Sequence, residues 1–341
     1  MNKLSNCLYN PSFSHIYIEK EALGHPETAK ILERFPEAMP IEINHYKDVF
    51  NRGHQDFMLQ KKSQKLILAV KKNSFLYEGA PVCQDFGNRH FYYTSMVMNC
   101  FYDCEYCYLQ GMYPSANIVV YVNTEDFFRE TEELLKKFPV YLCISYDTDL
   151  LSLENILGYA GKWLSFAEKH PDLTIELRTK CAGFNLFHKL KPIDNFILAW
   201  TLTPDAIQQL YEHRTPTLTE RLNCIKKAIG KGFLVRLCFD PLIFCKDWQL
   251  LYEDMITTIF RELPADKIMD VSLGVFRVSH DYIKKMRKQR PESAIIQYPY
   301  VNDHGVCHYG KRLSQDMISF VLGLVKEFIP ETNIYIWKET I

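Results

Sequence analysis

No run of the 341 residues approaches the roughly 20 apolar positions that a membrane span requires. Met1-Asn2-Lys3-Leu4-Ser5-Asn6 is not followed by the apolar core of a signal peptide, so the expected location is the cytoplasm and no membrane contact is expected. Charge of one sign is also missing. Forty basic residues face 41 acidic ones, for a formal net charge of −1, so no global field draws the molecule to nucleic acid, and any such contact must come from a local patch. No repeat of fixed period and no low-complexity linker interrupts the chain. The 11 cysteines are an odd number scattered along a long sequence, unlike the dense even set of a small secreted disulfide scaffold; they read as reduced thiols with one local cluster. What is present is 47% hydrophobic residues, enough for one large core or a main domain with smaller flanking pieces.

Residues 1–88 are irregular in pattern, with one clear strand at Lys65-Leu66-Ile67-Leu68-Ala69-Val70, and are expected to form a small N-terminal region. From Phe91 onward short apolar runs alternate with amphipathic segments, the signature of strand-helix units around a largely parallel sheet. Six strands are predicted, Phe91 to Met98, Val140 to Ser145, Thr174 to Arg178, Phe196 to Thr201, Leu234 to Phe239 and Ile268 to Leu273, with an additional one at Ile118 to Val122. The intervening helices include Thr124 to Lys137 with Asn123 as cap, Leu153 to Lys169, and Leu218 to Lys231 with Thr217 as cap. Six units are too few for a closed eight-stranded barrel but suit an open, partial TIM-like (β/α)6 barrel over residues 89–290, with its site at the carboxyl ends of the strands. Cys143, Ser145, Lys180 and Asp240 fall at or just past such ends. Residues 291–341 are expected to form a C-terminal extension of a hairpin, a helix (Ser314 to Phe328) and a last strand (Asn333 to Trp337) packed on the barrel.

Cys100-Phe101-Tyr102-Asp103-Cys104-Glu105-Tyr106-Cys107 places three thiols within eight residues. The spacing fits neither one helix face nor one strand face, so the segment is read as a loop whose thiolates converge on one object. A structural zinc ion would want four ligands, and neither Cys83 nor His90 forms a second paired motif. A cubane 4Fe-4S cluster held by three cysteines leaves one iron open to the amine and carboxylate of an amino acid, which is the logic of S-adenosylmethionine radical chemistry. Three unrelated core cysteines are the plainer alternative.

The pattern Cys-x3-Cys-x-aromatic-Cys resembles the radical S-adenosylmethionine superfamily, with Tyr106 as the aromatic residue beside the adenine end of the cofactor. Within it, Cys104-Glu105-Tyr106-Cys107-Tyr108-Leu109-Gln110, followed by Ile118-Val119-Val120-Tyr121-Val122-Asn123, resembles the spore photoproduct lyase family from about Tyr92 to Trp248. Cys143-Ile144-Ser145-Tyr146-Asp147 is similar to the family's Cys-x-Ser-Asp segment, with Tyr146 inserted ahead of Asp147. The resemblance implies a radical barrel fold and repair of 5-thyminyl-5,6-dihydrothymine in double-stranded DNA. It implies a cluster on Cys100, Cys104 and Cys107, S-adenosylmethionine, and an electron donor such as flavodoxin or ferredoxin. In the family's mechanism a 5'-deoxyadenosyl radical takes hydrogen from C6 of the lesion, the methylene bridge fragments, and a hydrogen is returned to give two thymines.

Cys143 matches the family's hydrogen donor, with Cys83 as substitute or helper. Tyr108 matches a radical relay that regenerates the cofactor, and Tyr106 matches a packing position on it. Ser145, Lys180 and Thr201 match positions that bind the cofactor's carboxylate and ribose. Arg236 and Asp240, alternating on one strand, read either as inward polar groups or as a structural pair. DNA has to be held by its phosphates, and the densest basic run is Lys284-Lys285-Met286-Arg287-Lys288-Gln289-Arg290. The family's lesion-extruding hairpin corresponds to Asn302 to Gly310, where His304 and Tyr309 stand in place of an Arg-Tyr pair. His304, Cys307 and His308 have no fourth partner and read as exposed hairpin residues. Two further readings remain open: another radical S-adenosylmethionine enzyme with a different substrate, and a non-catalytic metal-binding protein that docks on nucleic acid.

Overall fold

A computed structural model describes residues 12–80, 83–183 and 190–337; Met1 to Asn6 therefore lies outside the described residues. The fold is mixed α/β, built on two sheets. The larger has eight strands: β4 (Leu76–Glu78), β5 (Phe91–Thr94), β9 (Val140–Cys143), β10 (Leu173–Thr179), β11 (Phe196–Thr201), β13 (Leu234–Leu242), β14 (Asp270–Val275) and β18 (Ile334–Ile336). Apart from β4, which is antiparallel, each pairs in parallel with its neighbour in that order. The order follows the chain, so the sheet is wound one way, as a barrel is, but it does not close: β4 and β18 are its edges.

The pairing follows from composition. Phe196-Ile197-Leu198-Ala199-Trp200-Thr201 is buried along its whole length, as a strand covered on both faces must be, and each of its large side chains contributes about 1.5–3 kcal/mol by leaving water. The expected strands at Val140, Thr174, Phe196, Leu234 and Ile268 are all present within a few residues. The C-terminal strand is also present, as an added parallel edge on β14.

The first expected strand is two. β5 ends at Thr94, and β6 (Val97–Met98) leaves the large sheet to pair antiparallel with β8 (Ile118–Tyr121). Both belong to a second, five-stranded sheet with β1 (His15–Glu19), β2 (Met39–Ile43) and β3 (Leu66–Ala69), in the order β2-β1-β3-β8-β6. The N-terminal region is therefore more regular than its pattern suggests, and its sheet is completed by strands from beyond residue 88. Asn123 stands at the N-cap of the helix Thr124–Leu135, as expected, but without a side-chain capping bond. Its amide accepts from Lys71 N (2.9 Å) and donates to Lys71 O (2.8 Å), tying the ends of β3 and β8. Thr217 does cap, in a reciprocal box with Glu220. The long helix expected from Leu153 is broken at Gly158, whose φ of +68° suits glycine. Among the described residues no helix is long and apolar enough to cross a membrane.

Arg236 and Asp240 are not each other's partners. The Arg236 guanidinium, 2% exposed, bonds Asp270 through two nitrogens and Glu176 at 2.6 Å, and lies 3.3 Å from the centre of the Phe86 ring. Tyr141 also donates to Glu176 at 2.6 Å. Neutralising that cation leaves Asp270 buried without it, while Glu176 keeps Arg178 at 3.1 Å. Arg236→Met is expected to lower unfolding free energy by about 3–5 kcal/mol in urea titration, and a loss below about 1 kcal/mol would mean that water reaches the carboxylates.

Candidate functional site

Because the strands of the large sheet run parallel, their carboxyl ends form one rim. The cysteine segment is clamped beside it. Asn99 holds a φ of +69°, which asparagine tolerates, and its amide donates to Ser115 O and Asn117 O at 2.7 Å each. β7 (Asp103–Cys104) then pairs antiparallel with β12 (Glu212–His213). Cys100, Cys104 and Cys107 line one small cavity together with Lys61, Asn99, Asp103, Gln110 and Arg290. Among the described residues no three His, Cys, Asp or Glu side chains are arranged to hold a single metal ion. Burial pushes the Cys100 thiol up to about 12, with Asp149 adding to it; burial also raises Cys104 and Cys107. Thiols held this high release their protons readily only to a cation that replaces them.

Three groups without a motif of their own hold this loop. Glu212 is fully buried and ion-paired to buried Arg221; it accepts from Tyr106 and, at 2.9 Å, from Thr203. Burial alone would raise its pKa, but Arg221 and Lys180 hold it down at about 2. Arg290, at the end of the basic run, is buried and paired with Asp103, and donates to Gln110 at 2.7 Å. Lys61 donates to Cys100 O at 2.5 Å and Tyr102 O at 2.8 Å. Their partners are up to 187 positions away in sequence, which no local pattern signals. The helix Leu109–Met112 that follows the cysteines touches the basic helix at Gly111, where a Cβ would come within 2.5 Å of Tyr282 Cβ.

On the rim, Lys180 follows β10. Its backbone N–H donates to Asp149 at 2.6 Å, and its ammonium lies 3.8 Å from Glu212 and 5.5 Å from the centre of the Tyr106 ring. Lys180 and Arg221 thus share the Glu212 carboxylate, with Asp149 also beside Lys180. Ser145 donates to Arg178 O and accepts from Arg178 N, both at 2.7 Å, so its only proton is committed to joining the β9 and β10 ends. Thr201 is buried, and its carbonyl accepts from Arg221 at 3.0 Å.

Cys143 ends β9, opposite Tyr93 in register, and is 7% exposed. Burial pushes its thiol up to about 12, with Glu176 adding and Arg178 opposing, which keeps it as S–H. Cys83 Sγ lies 3.4 Å from the hydroxyl of Tyr146. Tyr146 stacks on Tyr93 with ring centres 4.0 Å apart, and its carbonyl accepts from the Tyr108 hydroxyl at 2.5 Å. The residue that stands as an insertion in the motif therefore joins Cys83 to Tyr108.

Asp240 forms a two-nitrogen pair with Arg277, at 2.7 and 3.1 Å. The guanidinium also stacks 4.4 Å from the centre of a Trp337 ring. Gly274 makes room for the pair, since a Cβ there would come within 2.8 Å of Asp240 Oδ1.

The expected nucleic-acid residues divide. Lys284, Lys285 and Lys288 are exposed on the helix His280–Gln289. Arg287 is turned to the carbonyls of Ile296 and Tyr298, at 3.2 and 2.8 Å. His304 is exposed at the tip between β16 (Val301–Asp303) and β17 (Val306–His308). Tyr309 is the correction. It is 6% exposed, its hydroxyl accepts from Phe244 N at 3.0 Å, and its ring packs among Phe244, Tyr298 and Tyr300, so it is not available to wedge between bases. Cys307 and His308, expected to be exposed with His304, are buried.

Residues 9–301 match the family model described as "Spore photoproduct lyase". A spore photoproduct lyase of Clostridium acetobutylicum is 23% identical over 350 residues, covering 96% of this chain and 98% of that protein. Among solved structures, spore photoproduct lyase complexed with dinucleoside spore photoproduct superposes with a TM-score of 0.82 at 17% identity, covering 97% of this chain and 99% of that one. A double mutant of spore photoproduct lyase with bound AdoMet and dinucleoside spore photoproduct gives a TM-score of 0.81 at 16% identity, covering 97% and 100%.

Burial alone would raise Asp240, but Arg277 holds its pKa below 3.8. A depressed carboxylate stabilises the fold fully above its unfolded pKa and loses that contribution as pH falls through the folded one. The difference in unfolding free energy between the native protein and Asp240→Asn should therefore be flat above pH 3.8 and shrink on acidification to about pH 3. A difference that grows on acidification would refute the assignment.

Proposed function

Because the chain belongs to the spore photoproduct lyase family, we propose that it reverses 5-thyminyl-5,6-dihydrothymine in double-stranded DNA to two thymines, using a 4Fe-4S cluster and S-adenosylmethionine. One observation carries the reading. Three cysteines line a single cavity, near a Lys180 ammonium that reaches Glu212 only at 3.8 Å while Arg221 takes the same carboxylate. Three thiols around one cavity suit an object with three ligated corners better than a single ion, which wants its donors at one point. Lys180, 16% exposed at its side chain, is the accessible cation for the carboxylate of an amino acid. The singly wound sheet supports the open six-unit barrel that this chemistry implies.

When bound, the cluster and S-adenosylmethionine would supply a 5'-deoxyadenosyl radical. The chain's own residues do the rest. Tyr106, fixed through its hydroxyl to Glu212, packs on the cofactor. Ser145 retains an acceptor lone pair, and Thr201 a hydroxyl, for neutral contacts with it. Cys143 gives the hydrogen atom of its S–H bond to the thymine methylene radical left by fragmentation, becoming a thiyl. Burial suits this step, since a thiolate has no hydrogen to give. The thiyl then recovers a hydrogen atom from a neighbouring O–H, and the phenoxyl radical so formed would take one from 5'-deoxyadenosine, leaving no radical on the chain. Tyr108 is the relay, and Cys83 with Tyr146 provides a second thiol-phenol pair beside it. The electron comes from a small flavodoxin- or ferredoxin-type donor. DNA is held by Lys284, Lys285 and Lys288, with Arg287 shaping their helix end and His304 at the hairpin tip reaching the distorted step, which costs least to unstack.

Reduced, anaerobically reconstituted protein incubated with DNA irradiated in the dry state should remove the dimer and form thymine; an intact dimer in protein that still cleaves S-adenosylmethionine would favour another radical reaction. Cys143→Ala should leave cofactor cleavage intact while lowering thymine yield by about tenfold or more, with adducts of the methylene radical in its place. Unchanged yield, measured by chromatography of digested DNA, would move the donor role to Cys83.

A further inference from the structure

Lys61 is 7% exposed, yet it comes from the helix Phe57–Lys62 of the N-terminal sheet region, outside the large sheet that carries the rest of the site. Its ammonium has three donors. Two go to the carbonyls of Cys100 and Tyr102, at 2.5 and 2.8 Å, and Gln64 adds a second donor to the Cys100 carbonyl at 3.2 Å. The third N–H of Lys61 is claimed by no described residue. Among the described residues no carboxylate lies within ion-pair distance of it. Asp103, the nearest acidic residue of the loop, is taken by Arg290. A buried ammonium bonded only to two carbonyls is costly. It becomes favourable if an anion occupies the cavity that it lines together with Cys100, Cys104 and Cys107.

We propose that Lys61 is a positioning residue of the iron-sulfur site, which fixes the Cys100–Tyr102 turn by two hydrogen bonds and raises the reduction potential of the cluster by its charge. The inference rests on the reading of the three cysteines as cluster ligands. A 4Fe-4S core held by three thiolates is more negative by one charge once a low-potential donor has given it an electron. A fixed cation at the cavity wall therefore stabilises the reduced form more than the oxidised one, and the low-polarity surroundings magnify the difference. By this device the N-terminal region takes part in setting how readily the enzyme accepts its electron.

The test is a spectroelectrochemical titration of the reconstituted full-length protein and its Lys61→Gln, Lys61→Met and Lys61→Arg variants, with iron and sulfide analysis of each. Gln keeps a donor for the carbonyls without the charge; Arg keeps the charge. The expected result is that Gln and Met each lower the equilibrium constant for one-electron reduction at least tenfold, which is about 59 mV for one electron, while Arg recovers most of it. A Gln variant that fails to retain iron while Arg retains it supports the same role. Midpoints in Gln or Met equal to the native one, or an Arg variant that behaves like Gln or holds no iron, would overturn it. Native protein that holds no iron-sulfur cluster would instead overturn the functional reading itself, so the two failures are distinct.

Discussion

Glu212 is fully buried, and a carboxylate there keeps its charge because Arg221, itself buried, lies against it with Lys180 nearby. That pair organises the site. Its remaining lone pairs are used by Tyr106 and Thr203, and its charge draws in the Lys180 ammonium from the end of β10. Arg221 in turn bonds the carbonyl of Thr201 at the end of β11. One carboxylate on a two-residue strand thereby ties the cysteine segment to two strands of the large sheet. The strand pairing of Glu212 and His213 with Asp103 and Cys104 is the backbone counterpart of the same link.

The cysteine segment is held from three directions by charged groups that a surface would otherwise claim. Lys61 reaches it from the N-terminal region, Arg290 from the end of the basic helix, and Glu212 from between β11 and β13. Each brings a charge into a place with little water, where its cost is offset only by good geometry. The result is a loop of irregular backbone whose carbonyls and carboxylates have assigned partners, so the three thiols line the same small space without forming a helix or strand of any length.

Across the rim the polar groups serve a different purpose. Arg236, Glu176, Asp270 and Tyr141 form a saturated network inside the sheet, while Asp240 and Arg277 pair beside Trp337. Between them lie Cys143, which is buried, and Cys83, Tyr93, Tyr108 and Tyr146, which are half-buried; burial raises every one of these thiols and phenols above its ordinary pKa. Neutral S–H and O–H groups can exchange hydrogen atoms without creating charge, as the proposed reaction requires.

The sequence by itself determined the parallel strands and the cysteine segment. Val140, Thr174, Phe196, Leu234 and Ile268 begin apolar runs that suit a strand buried on both faces, and three cysteines in eight residues fit neither one helix face nor one strand face. Where residue character is ambiguous, tertiary structure decided. Lys284 and Arg290 lie in one basic run, yet the first is exposed and the second is buried against Asp103. Tyr309 looked like a hairpin contact and is core; Tyr146 looked like an insertion and joins Cys83 to Tyr108. The strand read as Phe91 to Met98 divides because two sheets compete for it. Hydrophobic periodicity reports which residues leave water, and does so locally. The partner that a buried charge or hydroxyl will meet is set by chain crossings a hundred or more residues apart, as between Tyr106 and Glu212, and only the folded arrangement specifies those.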